Sequence, residues 1–164
     1  QGAAVVALLQ GAGFNNITSA RFFVNGIDTR TTGWEAVGSY RVPDFGAGDL
    51  RFTVGYSRNN TKITDRAALP TLPGLTLFGR QESLRMTDGQ PKDKFNVGID
   101  WTIGDFGVTA RANRYGSVLV PGVDAARDQA LGAEWVTDLG VRYQLYDAVE
   151  LAIGANNLFD AYPD

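Results

Sequence analysis

The 164-residue chain contains neither cysteine nor histidine. The absence of cysteine excludes disulfides, thiolate nucleophiles and cysteine-based metal sites. The absence of histidine excludes a Ser-His-Asp triad and any histidine-ligated metal. The acidic residues show neither EF-hand spacing nor a pair placed for acid–base catalysis. The sequence therefore predicts a protein that is not an enzyme and that uses no cofactor.

The chain also lacks an excess of positive charge and any long apolar run. Its formal net charge is −3, so it has no electrostatic footprint for nucleic acid, and no nucleic-acid partner is expected. The longest apolar run, Gly2 to Leu9, is far shorter than the roughly 20 residues that a transmembrane helix needs. We expect this run to form a short helix within a loop.

What the chain does contain is a period-two alternation of apolar and polar residues in six segments. In the second segment, for example, Phe52, Val54 and Tyr56 share a side opposite Arg51 and Ser57. A helix could not place residues so consistently on two sides, whereas a strand does so naturally. The six predicted strands lie within residues 33–42, 50–59, 95–104, 105–116, 137–145 and 149–157. The sequence therefore predicts an all-β protein.

The connections between these strands alternate strictly between short and long. The first and second strands are joined by PDFGAGD, the third and fourth by GDF, and the fifth and sixth by YDA. Long segments, about residues 65–93 and 120–134, separate the resulting hairpins. Because tight turns join antiparallel neighbours, all short turns should lie at one end of the sheet and all long loops at the other.

Alternation by itself fits two architectures. One is a self-contained soluble β-sandwich or β-barrel binding module, in which the apolar side is the core. The other is an antiparallel up-and-down transmembrane β-barrel, in which the apolar side meets lipid and the polar side lines the lumen. The unequal connections and strands of about ten residues favour the second. So do aromatic residues at both strand ends: Trp101, Phe106, Tyr143 and Tyr146 near short turns, and Phe95, Tyr115 and Trp135 near long loops.

The polar side supplies the candidate lumen-facing residues. They carry charges of both signs, which argues against a dedicated anion funnel. They are Arg51, Asp100, Arg111, Arg142 and Glu150. Five glycines share this side, and they either permit bending of the sheet or let another structure pack closely against it. These glycines are Gly55, Gly98, Gly107, Gly140 and Gly154.

Two segments carry a family resemblance. The stretch GANNLFDAYPD, with Asn157, Leu158, Phe159, Asp160 and Tyr162, resembles the penultimate-strand signature of TonB-dependent outer-membrane receptors. The upstream stretch FFVNGIDTRTTGWEAVGSYRV is similar to a strand of the same family. Its matching positions are Asn25, Thr32, Gly33 and Glu35, although Trp34 stands where the family usually has an aliphatic residue.

The resemblance implies an architecture and a location. Such receptors fold a plug inside a 22-stranded barrel of the bacterial outer membrane, and the six strands here would be about the sixteenth to the twenty-first. Residues 1–19 would be an extracellular loop segment with a short helix. Residues 20–164 would be C-terminal barrel strands and loops, with the plug domain and the final strand absent.

The resemblance also implies a function. The chain would be a fragment of a Gram-negative receptor for energised uptake of a scarce, bulky ligand such as a ferric siderophore, cobalamin or an oligosaccharide. Its partners would be outer-membrane lipid, the unidentified imported ligand and the TonB–ExbB–ExbD complex, reached through a missing N-terminal segment. No ligand-binding residue can be named, but the loops at 65–93 and 120–134 are the candidate regions.

Overall fold

The computed structural model describes residues 2–16, 25–46, 48–68 and 77–163, and the predicted boundary between residues 19 and 20 lies outside them. Two α-helices, one short 3₁₀-helix (Ala125–Arg127) and eight strands follow one another in this part of the chain. The α-helices and strands are α1 (Gly2–Gly11), β1 (Ile27–Phe45), β2 (Gly48–Arg66), α2 (Arg80–Thr87), β3 (Asp93–Ile103), β4 (Phe106–Tyr115), β5 (Val118–Val120), β6 (Gln129–Leu131), β7 (Glu134–Tyr146) and β8 (Val149–Ala155). The helix predicted in the apolar run is confirmed as α1.

The six predicted strands form one antiparallel sheet in the order β1-β2-β3-β4-β7-β8. Each strand therefore pairs with its neighbour along the chain, which is the up-and-down arrangement. The strands β5 and β6 make a separate two-stranded hairpin inside the second long loop. Over the described residues the sheet is not closed, because β1 and β8 are its two edges, as expected for part of a larger barrel.

The first two strands are longer than their alternation predicts. Each spans 19 residues rather than about ten, and most of the extra length lies at the long-loop end. This extension is mostly polar and is held by the backbone ladder and by a hydrogen bond between the hydroxyls of Thr31 and Thr61 at 2.8 Å. Because its side chains are mostly polar on both faces, with Ile27 and Ile63 as exceptions, the extension lacks the alternation by which strands are recognised.

The sheet has no packed core. In the described part of the chain, Leu50 is the one buried hydrophobic side chain, at 7% exposure, while Ile153 is 78% exposed. A soluble sandwich or barrel would seal these aliphatic side chains between layers. A single exposed layer does not do so, and the alternative of a self-contained soluble module is therefore wrong for these strands.

Within the described ranges, neither α1 nor α2 has the length and apolar character needed to cross a membrane.

Candidate functional site

The strand register sorts the side chains onto two faces of the sheet. Directly paired residues lie on the same face, and one such row runs across five strands. It consists of Phe52, Ile99, Ala110, Leu139 and Ala155. We call the face that carries this row the apolar face and the opposite one the polar face.

Charge is confined to one of these faces over the middle of the sheet. The polar face carries Glu35, Arg41, Asp49, Arg51, Lys94, Asp100, Arg111, Glu134, Asp138, Arg142 and Glu150. The apolar face is different. Between the short turns and the row that contains Trp34 and Arg58, the register places only one charged residue on this face, Arg114, which lies near the long loops. The sheet is therefore hydrophobic on one side and ionic on the other.

All five residues predicted to face the lumen lie on the polar face, each on a different strand. Arg51 pairs directly with Asp100, whose carboxylate accepts a hydrogen bond from the Thr109 hydroxyl at 2.8 Å. Near the short turns, Arg51, Asp100 and Arg142 line one depression of about 510 Å³. Arg111 and Glu150 lie outside it but line neighbouring depressions, Arg111 together with Asp100 and Glu150 together with Arg142.

The glycines of the polar face fall into two kinds. Gly107 lies beneath the side chain of Arg142, which reaches over it to donate a hydrogen bond to the Thr102 hydroxyl at 3.1 Å. Gly140 pairs directly with Gly154, and the space above Gly140 is open within 4 Å. The first kind makes room for a neighbouring side chain, whereas the second leaves the sheet surface free.

Aromatic side chains pair at both ends of the apolar face. At the long-loop end, the rings of Trp34 and Tyr56 lie 5.0 Å apart and those of Phe95 and Trp135 lie 5.9 Å apart. At the short-turn end, Phe106 and Tyr143 lie 4.5 Å apart. Two aromatic belts that flank an uncharged band are typical of a sheet with lipid on one side.

The two long connections contact each other at the far end of the sheet. We call α2 together with the β5–β6 hairpin the loop cluster. The guanidinium of Arg80 binds the carboxylate of Asp128 at two points, with Nη1 to Oδ1 at 3.0 Å and a closer contact between Nη2 and Oδ2. Asp128 also accepts a hydrogen bond from the Gly122 backbone N–H at 2.9 Å.

Further hydrogen bonds join the same two connections. The Leu119 N–H donates to the Asp88 carbonyl at 2.8 Å, and the Gln81 amide donates to the Pro121 carbonyl at 3.2 Å. Sequence reasoning did not identify this cluster, since no local pattern links residues in two separate loops. Nor is a metal site indicated, because the described residues contain no group of three or more acidic side chains placed to hold an ion.

Comparison with known families decides the assignment. A family model described as TonB dependent receptor-like, beta-barrel, matches residues 5–158. The chain belongs to this family. No curated protein matches the chain. Membership places this receptor barrel in the bacterial outer membrane and assigns it, in general, to TonB-dependent transport of an imported ligand; members of the family are transporters rather than enzymes.

In this receptor barrel, the downstream motif forms a compact turn after β8. Asn157 has a positive φ of 49°, and its amide donates to the Ala161 carbonyl at 3.1 Å and accepts from the Ala161 N–H at 3.0 Å. The Asn157 N–H donates to the Asp138 carboxylate at 2.9 Å, which ties the turn to β7. Leu158, Phe159 and Tyr162 are exposed, and Asp160 has a φ of 52°.

The upstream motif lies on the opposite edge strand. Thr32 pairs with Asn60, and Gly33 lies beneath the Asn59 side chain, where a Cβ would meet the Arg58 carbonyl oxygen at 2.5 Å. Glu35 pairs with Ser57 on the polar face, while Asn25 is exposed just before β1. The two motifs are therefore separated by the width of the sheet and form no common site.

One aromatic assignment of the receptor barrel was wrong. Tyr115 was expected in the belt at the long-loop end, but it pairs with Lys94 and Glu134 on the polar face, and the Lys94 ammonium lies 5.2 Å from its ring centroid. The neighbouring residue, Arg114, occupies the apolar face instead. The position of Tyr115 near a strand end thus correctly predicted its level along the strand. Only the strand register shows which face of the sheet it lies on.

The pKa values of three groups in and beside the loop cluster are shifted by hydrogen bonds. The hydrogen bond from Arg80, helped by the Gly122 N–H, holds the pKa of Asp128 below its ordinary value, and the same pair raises the pKa of Arg80. Hydrogen bonds from Lys92 and Thr87 lower the pKa of Asp88. These carboxylates are therefore ionised at neutral pH and act as anchors for the loops rather than as proton donors.

Proposed function

We propose that the intact receptor imports a scarce, bulky ligand, such as a ferric siderophore, cobalamin or an oligosaccharide, with energy delivered through TonB–ExbB–ExbD. The observation that carries this proposal is the separation of charge across one layer of strands: an uncharged band on the apolar face lies opposite a polar face with charges of both signs. Such a wall separates lipid from an aqueous interior.

In this proposal the apolar face meets lipid and the polar face lines the lumen. An arginine turned towards lipid at the bilayer midplane costs about 2–4 kcal/mol, so a reversed sheet with Arg51, Arg111 and Arg142 outward would be strongly disfavoured. The dimensions fit a sheet that spans the membrane. The interval from Trp135 to Leu145 rises roughly 33 Å along the strand and roughly 25 Å along the membrane normal at a tilt of about 40°, which is the height of an apolar barrel band.

The placement of the ends follows from the same assignment. The short turns would face the periplasm, and the loop cluster would face the cell exterior, together with the segment of residues 1–19. The loops at 65–93 and 120–134 would then meet the incoming ligand first. The plug would pack against the polar face, where mixed charges and the open surface above Gly140 leave room for it.

Uptake by whole cells tests this proposal. The experiment compares a host that carries the intact receptor gene with a deletion strain and with a TonB-deficient strain, and offers labelled ferric siderophores, cobalamin and oligosaccharides separately. We expect uptake of one ligand class to depend on both the receptor and TonB. Uptake that is unchanged by the deletion for every class, or that continues without TonB, would contradict the proposal.

A further inference from the structure

Positive charge returns to the apolar face at its long-loop end. Arg58 pairs directly with Trp34, and Arg114 lies in register between Phe95 and Trp135, so both arginines stand within the outer aromatic belt. Further outward on the same face, Arg30 and Lys62 are direct cross-strand partners. Four basic side chains therefore lie on this face at or beyond the outer edge of the uncharged band.

Three of these four basic side chains make no ion pair among the described residues, although Asp93 is the direct cross-strand partner of Arg58. Asp93, the one carboxylate within this group, binds Arg114 at 2.7 Å. In the part of the chain that the structure describes, no ion pair involves Arg30, Arg58 or Lys62, and all three side chains are exposed. The remaining charges on this face, Asp28 and Asp65, pair with each other beyond Arg30 and Lys62, further from the aromatic belt.

The pairing of Arg30 with Lys62 is unfavourable unless an anion binds between them, since neither side chain forms an ion pair with the nearby Asp28 or Asp65. Like charges directly opposite each other on one face of a sheet destabilise it, and here both are held in register by the β1–β2 ladder. An anionic group between them would relieve the repulsion. The site of that anion is set by the aromatic belt, because belts of Trp and Tyr lie at the level of lipid headgroups.

We propose that Arg30, Arg58 and Lys62, flanked by Arg114, form a docking surface for the phosphate groups of an anionic lipid in the outer leaflet. This inference rests on the proposed assignment of the apolar face to lipid. The arginines offer planar, two-point hydrogen bonds to phosphate, and Lys62 adds a point charge. Arg58 and Lys62 lie roughly 13 Å apart along the strand, so one headgroup with two phosphates could reach both.

Lipid retention by the intact receptor tests the proposal. The receptor, purified in detergent micelles doped with lipid A that carries two phosphates, is compared with R58Q/K62Q and with the charge-matched control R85Q/R127Q. Arg85 and Arg127 are exposed side chains in the loop cluster. Native mass spectrometry counts the bound lipid, and circular dichroism shows that each variant keeps its β-sheet.

We expect R58Q/K62Q to lower the affinity for lipid A about tenfold, because each basic group near a membrane surface contributes to the attraction, while the control retains it. Dephosphorylated lipid A should bind no better to the unaltered receptor than to R58Q/K62Q. Equal retention by R58Q/K62Q and the unaltered receptor would overturn the proposal. So would displacement of the lipid by inorganic phosphate alone, which would indicate a free-anion site.

The outcome can be separated from that of the proposed function. Lipid retention is measured without an imported ligand, so it is independent of the uptake assay. The face assignment has its own test in the substitution of Ile99 described below. If that substitution behaves as expected and R58Q/K62Q still retains lipid A, only the docking surface is wrong.

Discussion

Arg80 and Asp128, 48 residues apart in the chain, form a two-point ion pair that joins the two long loops of the receptor barrel. Each comes from a different connection, one from the start of α2 and the other from the segment between β5 and β6. Because the same carboxylate also accepts the Gly122 N–H, the pair orders the hairpin as well as linking it to the helix.

Removal of this ion pair should loosen the loop cluster. In the intact receptor, Asp128→Asn should increase amide hydrogen exchange across residues 118–131, because the carboxylate that holds both Arg80 and the Gly122 N–H is lost. Arg85→Gln, on the same helix but without a partner among the described side chains, is the control and should leave exchange unchanged. Equal exchange in Asp128→Asn and the unaltered receptor would show that the ion pair does not order the loops.

The loop cluster should also open in acid. The folded-state pKa values of Asp128 and Asp88 are lowered from 3.8, so the stabilisation they give is complete above that value and is lost as the pH falls through the lowered pKa. The measurement is the rate of amide hydrogen exchange in residues 118–131, corrected for the intrinsic effect of pH on exchange. We expect this corrected rate to stay constant from about pH 8 to pH 5 and to rise below about pH 4. Asp128→Asn should show a smaller acid response, and an equal one would mean that Asp128 is not responsible.

The two faces should differ in their tolerance of charge. Ile99 lies midway along β3 on the apolar face, and Ile99→Arg should lower the free energy of unfolding of the reconstituted receptor by about 2–4 kcal/mol. Thr53→Arg, at a comparable height on the polar face, is the matched control and should cost less than about 1 kcal/mol. Urea unfolding in lipid bilayers gives both values, and the reverse order would invert the face assignment.

Gly107 and Gly140 should respond differently to alanine. A Cβ at Gly107 would meet Arg142 Cγ at 2.7 Å, so Gly107→Ala should displace Arg142 and cost about 1 kcal/mol in the free energy of unfolding. Gly140→Ala meets nothing within 4 Å in these strands and should be neutral, or stabilising by about 0.5 kcal/mol. A large loss of stability for Gly140→Ala in the intact receptor, measured by urea unfolding, would show that the plug packs too closely above Gly140 to admit a methyl group.

The turn at Asn157 should depend on both its side chain and its backbone. Asn157→Ala removes two hydrogen bonds with Ala161 and strains a positive φ, so we expect a loss of about 2 kcal/mol. Asn157→Gly keeps the backbone conformation available and should lose about 1 kcal/mol. The neighbouring Asn156→Ala should stay within about 0.5 kcal/mol. Urea unfolding of the intact receptor measures the loss of stability in each of the three variants. Equal losses would show that the Asn157 turn does not contribute to stability.

The sequence predicted the strands well where the alternation is strong. In β3, residues 95–104 were predicted and Asp93–Ile103 is observed, because every second residue from Phe95 to Ile103 is apolar. The same alternation placed all five predicted lumen-facing residues on one side of the sheet. It did not predict the outer parts of β1 and β2. There the ladder is mostly polar on both faces, so hydrogen bonds rather than hydrophobic periodicity define the strand.

The sequence by itself determined the strands, the hairpins and the division into an apolar and a polar face, because a strand's side chains alternate whatever lies beside it. Only the tertiary structure decided which side chains meet. The register put Tyr115 on the polar face and Arg58 beside Trp34, and loop folding brought Arg80 to Asp128. These contacts join residues that are distant along the chain, and no local pattern contains the hydrogen bonds that select them.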